Sequence, residues 1–186
     1  ASAAAPPTSG GTVAINIWTP SEGLVTNDPV VDVSGEVTAG QANHIWVGDQ
    51  KLAVNDRHFQ GQVRLQAGAD GLVDTSYPLA FSSDPDARPL TQMTVHLDRT
   101  APKLEISSPQ PDQVVDAKVT VKGSVHDPQL ASLRTSNGKT VDVSADGRFA
   151  WQAPLPEADG RFEIRLTAHD RAGNTTEAAV AVLVDR

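Results

Sequence analysis

The chain has 186 residues, of which 39% are hydrophobic and 4% aromatic, so it can build modest aliphatic cores but no large aromatic one. It has no cysteine, which excludes disulfide bonds, thiolate catalysis and cysteine-ligated metal centres. The formal net charge of −8 disfavours nucleic-acid partners and anionic membrane surfaces. No apolar run reaches the ~18 residues that membrane insertion of a helix requires.

Residues 1–11 are rich in Ala, Pro, Ser and Gly, a low-complexity composition that predicts a flexible linker. After them, apolar and polar residues alternate, which is typical of half-buried β-strands. In the first half of the chain this alternation predicts strands over residues 13–18, 30–37, 44–47, 51–54, 59–65, 77–82 and 90–97.

The second half of the chain has the same alternation. It predicts strands over residues 104–107, 118–125, 131–135, 140–144, 148–153, 161–169 and 176–184. Asn137-Gly138 and Asp146-Gly147 supply the positive φ angles that tight hairpins need. No segment has a convincing helical period, so we expect an all-β chain.

An internal repeat explains why the two halves look alike. Val-Asp-Val-Ser-Gly-Glu-Val at 31–37 matches Val-Thr-Val-Lys-Gly-Ser-Val at 119–125. We therefore expect two tandem immunoglobulin-like antiparallel β-sandwiches of about seven strands each, a divergent first domain at 12–99 and a second at 100–186. The joint at 98–102 is short and contains a proline, which predicts a stiff connection. The second copy ends with Asp185-Arg186, which corresponds to Asp98-Arg99 before the joint of the first copy. We therefore also expect the chain to be a segment of a longer array.

The second copy resembles the bacterial immunoglobulin-like repeats that occur in tandem in surface adhesins and modular secreted proteins. The resemblance is carried by Ala-Asp-Gly-Arg-Phe at 145–149, Thr-Ala-His-Asp at 167–170, Ala-Gly-Asn-Thr-Thr at 172–176 and the joint at 98–102. The first copy departs from this pattern and has Asp-Pro-Asp at 84–86 instead of the Ala-Gly-Asn turn. The resemblance implies a non-catalytic spacer or adhesive module located outside the cytoplasm, at the cell surface, secreted or in the periplasm.

Calcium is the metal ion that the acidic turns suggest. In an immunoglobulin-like sandwich, the loops at one pole would gather Asp127, Asp146, Asp170 and Asn174, with Asp98 arriving along the joint. Calcium binds six to eight oxygens from carboxylates, amides and carbonyls. The alternative is that these residues cap their own turns, because Asp-Gly and Asp-x-x-Gly-Asn are ordinary turn sequences.

Exposed aromatic side chains in the first copy suggest a ligand-binding surface. If the neighbouring Ile and Val residues face the core, Trp18, His44 and Trp46 face outward. Flat exposed indoles can stack on sugar rings. The alternative is that Trp46 is the buried tryptophan of the third strand of the sandwich. The loop that carries Asp84 and Asp86 is a second surface that could contact a glycan or protein.

Catalysis is disfavoured by the sequence. The five histidines lie on different predicted elements, and no His-Glu-x-x-His, Gly-x-Ser-x-Gly or P-loop motif is present. We expect a structural or adhesion module whose partners are neighbouring repeat domains, with no cofactor apart from calcium. The alternatives are a glycan- or protein-binding module that uses the first domain, and an accessory region of a larger extracytoplasmic enzyme.

Overall fold

A computed structural model describes residues 12–66, 74–116 and 118–186 of the chain. These residues divide into two compact units, the first ending at Asp98 and the second beginning at Arg99. Every regular element in this part of the chain is a β-strand, which confirms the expected all-β class. None of the described residues forms a helix of the length and apolarity needed to cross a membrane. The linker predicted at 1–11 lies outside the described residues.

The first unit consists of eight strands joined in one continuous hydrogen-bonded order, β1-β3-β6-β5-β4-β7-β8-β2. Strand β5 pairs with β6 at one end and with β4 along its length, so it links the two layers of the sandwich. The strands are β1 (Ala14–Thr19), β2 (Leu24–Thr26), β3 (Val30–Ala39), β4 (His44–Val47), β5 (Gln50–Asn55), β6 (His58–Arg64), β7 (Ser76–Ser82) and β8 (Thr91–Leu97).

The second unit has the same succession of strands in two separate sheets. One sheet has the order β14-β11-β9 and the other β10-β16-β15-β12-β13. The strands are β9 (Lys103–Ser108), β10 (Gln113–Val115), β11 (Lys118–His126), β12 (Leu130–Thr135), β13 (Thr140–Val141), β14 (Arg148–Pro154), β15 (Gly160–Asp170) and β16 (Thr175–Val184).

Each unit has eight strands where the sequence predicts about seven. The additional strands, β2 and β10, are three residues long and pair in parallel with β8 and β16. Three residues are too few to show a period of two, which is why the sequence pattern does not reveal them. The strand predicted at 140–144 is also shorter than expected, since β13 ends at Val141 and only a bridge between Val143 and Phe149 follows.

Each unit encloses its own hydrophobic core, and the two core clusters have no residue in common. Strand β15 shows how the alternation builds such a core. Ile164, Leu166 and Ala168 are buried, whereas Glu163 and Arg165 between them are exposed. The largest fully buried side chains of the first unit are Phe59, Phe81, Ile45, Leu65 and Leu97, and those of the second are Leu133, Leu166 and Val121.

A glycine on the central strand of each unit packs directly against a phenylalanine ring. A Cβ atom on Gly35 would stand 2.5 Å from Cζ of Phe59, and one on Gly123 would stand 2.6 Å from Cζ of Phe149. Both glycines also lie against a carbonyl oxygen of the neighbouring first strand. Only a residue without a side chain therefore allows the ring and the strand to approach this closely.

Candidate functional site

Trp18 is the extra residue of a β-bulge in β1. Ile17 pairs with Gly35 and Thr19 pairs with Ser34, so two steps along β1 correspond to one step along β3. Such bulges turn a side chain away from the regular pleat. The indole of Trp18 is 54% exposed on the outer face of the sheet, as the alternation in this strand predicts.

His58 is the ring that lies beside this indole. It begins β6, directly after a two-residue turn in which Asp56 has φ 48° and Arg57 has φ 69°. The turn pairs Asn55 with His58 and directs the imidazole towards β1. The centroids of the Trp18 and His58 rings are 5.2 Å apart, with an angle of 44° between their planes.

The two rings stand in an open cleft of about 490 Å³ on the outer face of the first unit. The residues that line it contain no carboxylate, lysine or arginine. Within the part of the chain that the structure describes, the side chains of Ser34, Asn55 and Gln60 form no hydrogen bond with other protein groups. The lining residues are Trp18, Ser34, Ala53, Asn55, His58, Phe59 and Gln60.

His44 and Trp46 lie on β4, which β3, β6 and β5 separate from β1. Ile45 and Val47 are buried, so His44 and Trp46 face outward and are half-buried. The alternative of a core tryptophan at position 46 is therefore wrong. The ammonium group of Lys51 lies 5.7 Å from the centre of the Trp46 ring, whereas the partner of Trp18 is His58.

The aspartates of the β7–β8 loop form an internally bonded turn. The Asp84 carboxylate accepts a hydrogen bond from the Asp86 backbone N–H at 3.0 Å, and its backbone carbonyl accepts one from the Ser82 hydroxyl at 2.8 Å. Both aspartates are exposed. The hydrogen bonds of Asp84 are those of a capped turn, and the role of this loop as a ligand surface stays a prediction.

The acidic residues of the second unit also cap turns. Asp170 is only 5% exposed, and its carboxylate accepts hydrogen bonds from the Gly173 N–H, the Asn174 N–H and the Asn174 side-chain amide. The Asp127 carboxylate accepts one from the Gln129 N–H at 2.6 Å. Carboxylate oxygens of Asp127 and Asp170 lie within 4.8 Å of each other. These two residues are the part of the predicted calcium set that the second unit brings together.

Asp146 and Asp98 have other surroundings. The Asp146 carboxylate accepts hydrogen bonds from the Ser144 hydroxyl and the Arg148 N–H, and these bonds hold its pKa below the ordinary value. Asp98 is the last residue of the first unit, where its N–H donates to the Thr26 carbonyl. The hydrogen bonds described above for Asp127, Asp146 and Asp170 are those of capped turns, and calcium binding stays a prediction.

His58 and the polar side chains next to it are not among the site residues that the sequence pattern predicts. A signal was present, because His58 and Gln60 alternate with the inward residues Phe59 and Gly61 along β6. What the sequence did not reveal is the turn at Asp56 and Arg57, because arginine is not among the residue types that usually occupy the second positive-φ position of a hairpin turn.

The class of protein that this architecture defines is the immunoglobulin- or fibronectin III-like β-sandwich module. The fibronectin(III)-like modules of CbhA from Clostridium thermocellum are 14% identical, with 92% of this chain and 94% of that chain covered and a TM-score of 0.56. This likeness shows the shared fold.

A family model gives a more particular match for the second unit. Residues 102–186 match the model of glucodextranase, domain B. A comparison with curated protein sequences found no match.

Two further solved structures have TM-scores below 0.5. The endo-β-1,4-mannanase from Thermotoga petrophila is 17% identical, with 48% of this chain and 21% of that chain covered and a TM-score of 0.40. A tetra-tandem repeat in the extending region of a large adhesion protein is 20% identical, with 94% of this chain and 50% of that chain covered and a TM-score of 0.33.

Proposed function

We propose that this chain is a pair of non-catalytic modules within a larger extracytoplasmic protein, in which it serves as a spacer. The observation that carries this proposal is the separation of the two hydrophobic cores, since each module encloses its own. A module with its own core can be repeated or recombined without disturbing its neighbour. The acidic surface would keep adjacent modules soluble.

The spacer role also rests on the sequence of the joint. The segment 98–102 reads Asp-Arg-Thr-Ala-Pro, and a proline fixes its own φ and restricts the residue before it. A joint of this kind limits bending more than a Gly- and Ser-rich tether does. We propose a semi-rigid connection, located at the cell surface, in the periplasm or in a secreted protein, as the resemblance of the second copy to adhesin repeats implies.

A second candidate is an accessory region of an enzyme that acts on polysaccharides. It is favoured by the match of residues 102–186 to a model whose name denotes one domain of glucodextranase. In this case the active site would belong to another part of the parent protein, and this chain would hold that part in place.

Calorimetry and an activity assay test the proposal together. We expect the full chain to unfold in two transitions, and each separately expressed unit to reproduce the transition it shows in the full chain. We also expect no release of reducing ends from a panel of α- and β-glucans, mannan and xylan. A first unit that is unfolded without the second would contradict modularity, and sustained release of reducing ends would contradict the non-catalytic role.

A further inference from the structure

The two units offer an internal comparison, because a bulge in the first strand and a hairpin contact to the central strand lie beside a cleft in both. In the second unit Ile106 pairs with Gly123 and Ser108 pairs with Lys122, so Ser107 is the bulged residue in the place of Trp18. The hairpin contact is also repeated. The Val37 N–H donates to the Arg57 carbonyl at 2.7 Å in the first unit, and the Val125 N–H donates to the Gly147 carbonyl at 2.8 Å in the second.

The side chains around the two clefts differ in chemistry. The second unit also has a cleft here, of about 890 Å³, but charged residues line it. Arg148 takes the place of His58, since both stand opposite the equivalent residue of the central strand. Lys122 likewise takes the place of Ser34. The first unit therefore has an aromatic pair with amide and hydroxyl groups where the second unit has charged groups, and a glycine packs against a phenylalanine ring beneath both clefts.

We propose that the cleft between Trp18 and His58 binds a segment of a neutral polysaccharide. A sugar ring presents an apolar face that stacks on an indole, and hydroxyl groups at its rim that need hydrogen-bond partners. Trp18 offers the stacking face. The imidazole of His58, tilted by 44° to the indole, forms the adjoining wall. Asn55 and Gln60 supply amide donors and acceptors, and Ser34 supplies a hydroxyl.

The lining residues include no carboxylate, lysine or arginine, and this composition favours an uncharged ligand. An acidic polysaccharide would bring carboxylates to a cleft that has no lysine or arginine among its lining residues. A neutral polysaccharide brings no charge that would be left unpaired in the cleft. The volume of about 490 Å³ is within the range of roughly 300–1,000 Å³ that small-ligand sites occupy.

The turn that presents His58 carries backbone strain, which is a feature of functional positions in general. Arg57 has φ 69°, a left-handed conformation that costs a bulky residue about 1–2 kcal/mol. The equivalent residue of the second unit is Gly147, with φ 80°, for which this conformation is free of side-chain strain. Strained turns that persist in a fold concentrate at ligand-binding positions. Here the strained turn stands beside the aromatic pair.

The test uses the full chain, affinity electrophoresis and isothermal titration calorimetry. The neutral probes are α-glucan, mixed-linkage β-glucan, mannan and xylan, and the acidic probes are polygalacturonate and alginate. We expect at least one neutral probe to bind and the acidic probes not to bind. Failure of every neutral probe at millimolar sugar concentration, or preference for an acidic probe, would overturn the proposal.

Substitutions then locate the site. Trp18→Ser introduces the residue that the second unit has, and we expect it to weaken binding at least about tenfold. Trp151→Phe, in the second unit, is the matched control that should bind as the wild type does. Because Trp18 is exposed, the variant should unfold at the wild-type temperature. Undiminished binding by Trp18→Ser, or loss of binding by Trp46→Phe alone, would overturn the proposal.

Failure of this proposal is distinguishable from failure of the spacer role. Binding is measured on the folded full chain with sugar probes, whereas the spacer role is tested by the unfolding of separate units. A chain that unfolds in two transitions and binds no neutral polysaccharide would refute the cleft and leave the spacer role standing.

Discussion

Replacement of Gly35 by alanine tests whether the close approach of glycine and phenylalanine holds each sandwich together. The new Cβ would stand 2.5 Å from Cζ of Phe59 and would also meet the carbonyl oxygen of Asn16. A buried aromatic ring and a backbone carbonyl have little room to move, so β1 must shift away from β3. Gly123→Ala repeats the perturbation in the second unit, against Phe149.

The expected cost follows from this geometry. Overpacking of a well-packed core costs about 1–3 kcal/mol. For a domain of 60–100 residues each kcal/mol lowers the Tm by roughly 4–8 °C. We expect Gly35→Ala to lower the first unit's Tm by roughly 5–20 °C and to leave the second unit's transition in place. Gly123→Ala should do the reverse.

Differential scanning calorimetry of the full chain provides the assay, with Gly61→Ala as the matched control. A Cβ on Gly61 would approach a terminal methyl carbon of Leu52 at 2.7 Å, and that flexible side chain can rotate away. The control should therefore cost less than about 1 kcal/mol. A Gly35→Ala transition within about 1 °C of the wild type would refute the reasoning, as would equal losses for Gly35→Ala and Gly61→Ala.

Three further predictions concern turns. Arg57→Gly should stabilise the first unit by about 0.5–1 kcal/mol because it removes an arginine from a left-handed conformation. Gly147→Ala should destabilise the second unit, because it places a side chain in such a conformation. Unfolding in urea measures both changes, and an Arg57→Gly variant less stable than the wild type would contradict the prediction for Arg57. The hydrogen bonds that lower the Asp146 pKa should stabilise the second unit above pH 3.8 and be lost as pH falls through that lowered pKa. The Tm difference between wild type and Asp146→Asn should therefore shrink below pH 3.8, and a difference independent of pH would contradict this. Asp170→Ala should cost about 1–3 kcal/mol by leaving loop donors unpaired. If calcium binds, it should raise the Tm of the wild type and leave the Tm of Asp170→Ala unchanged. A wild-type melting curve that changes with neither calcium nor chelator would contradict calcium binding.

Alternation was sufficient to predict the long strands because one face of each is buried. In β15, buried or half-buried residues alternate with more exposed ones, as a strand with one buried face requires. The short strands β2 and β10 were missed because they are fixed by parallel pairing with a distant strand, which leaves no local pattern. The sequence also identified the outward direction of Trp18, which depends only on its immediate neighbours.

The partner of Trp18 could not be predicted in the same way. His58 reaches it through a turn that puts Arg57 at a positive φ, and sequence preferences do not favour such a turn. His44 and Trp46 were grouped with Trp18 because all three face outward, but three intervening strands separate their positions. Which outward residues share a cleft depends on strand order, and strand order is a tertiary property.

The repeated bulge and hairpin contact make the binding proposal testable by gain as well as by loss. Ser107→Trp and Arg148→His together would place the aromatic pair on the second unit, and Lys122→Ser would remove a charge beside it. These positions lie on the outer face, where substitutions usually change stability by less than about 0.5 kcal/mol. We therefore expect the triple variant, built on a Trp18→Ser background, to fold and to regain binding of the same neutral probe in calorimetric titration. A well-folded variant that regains no binding would contradict the claim that the bulge, the hairpin and the aromatic pair are sufficient to create the site.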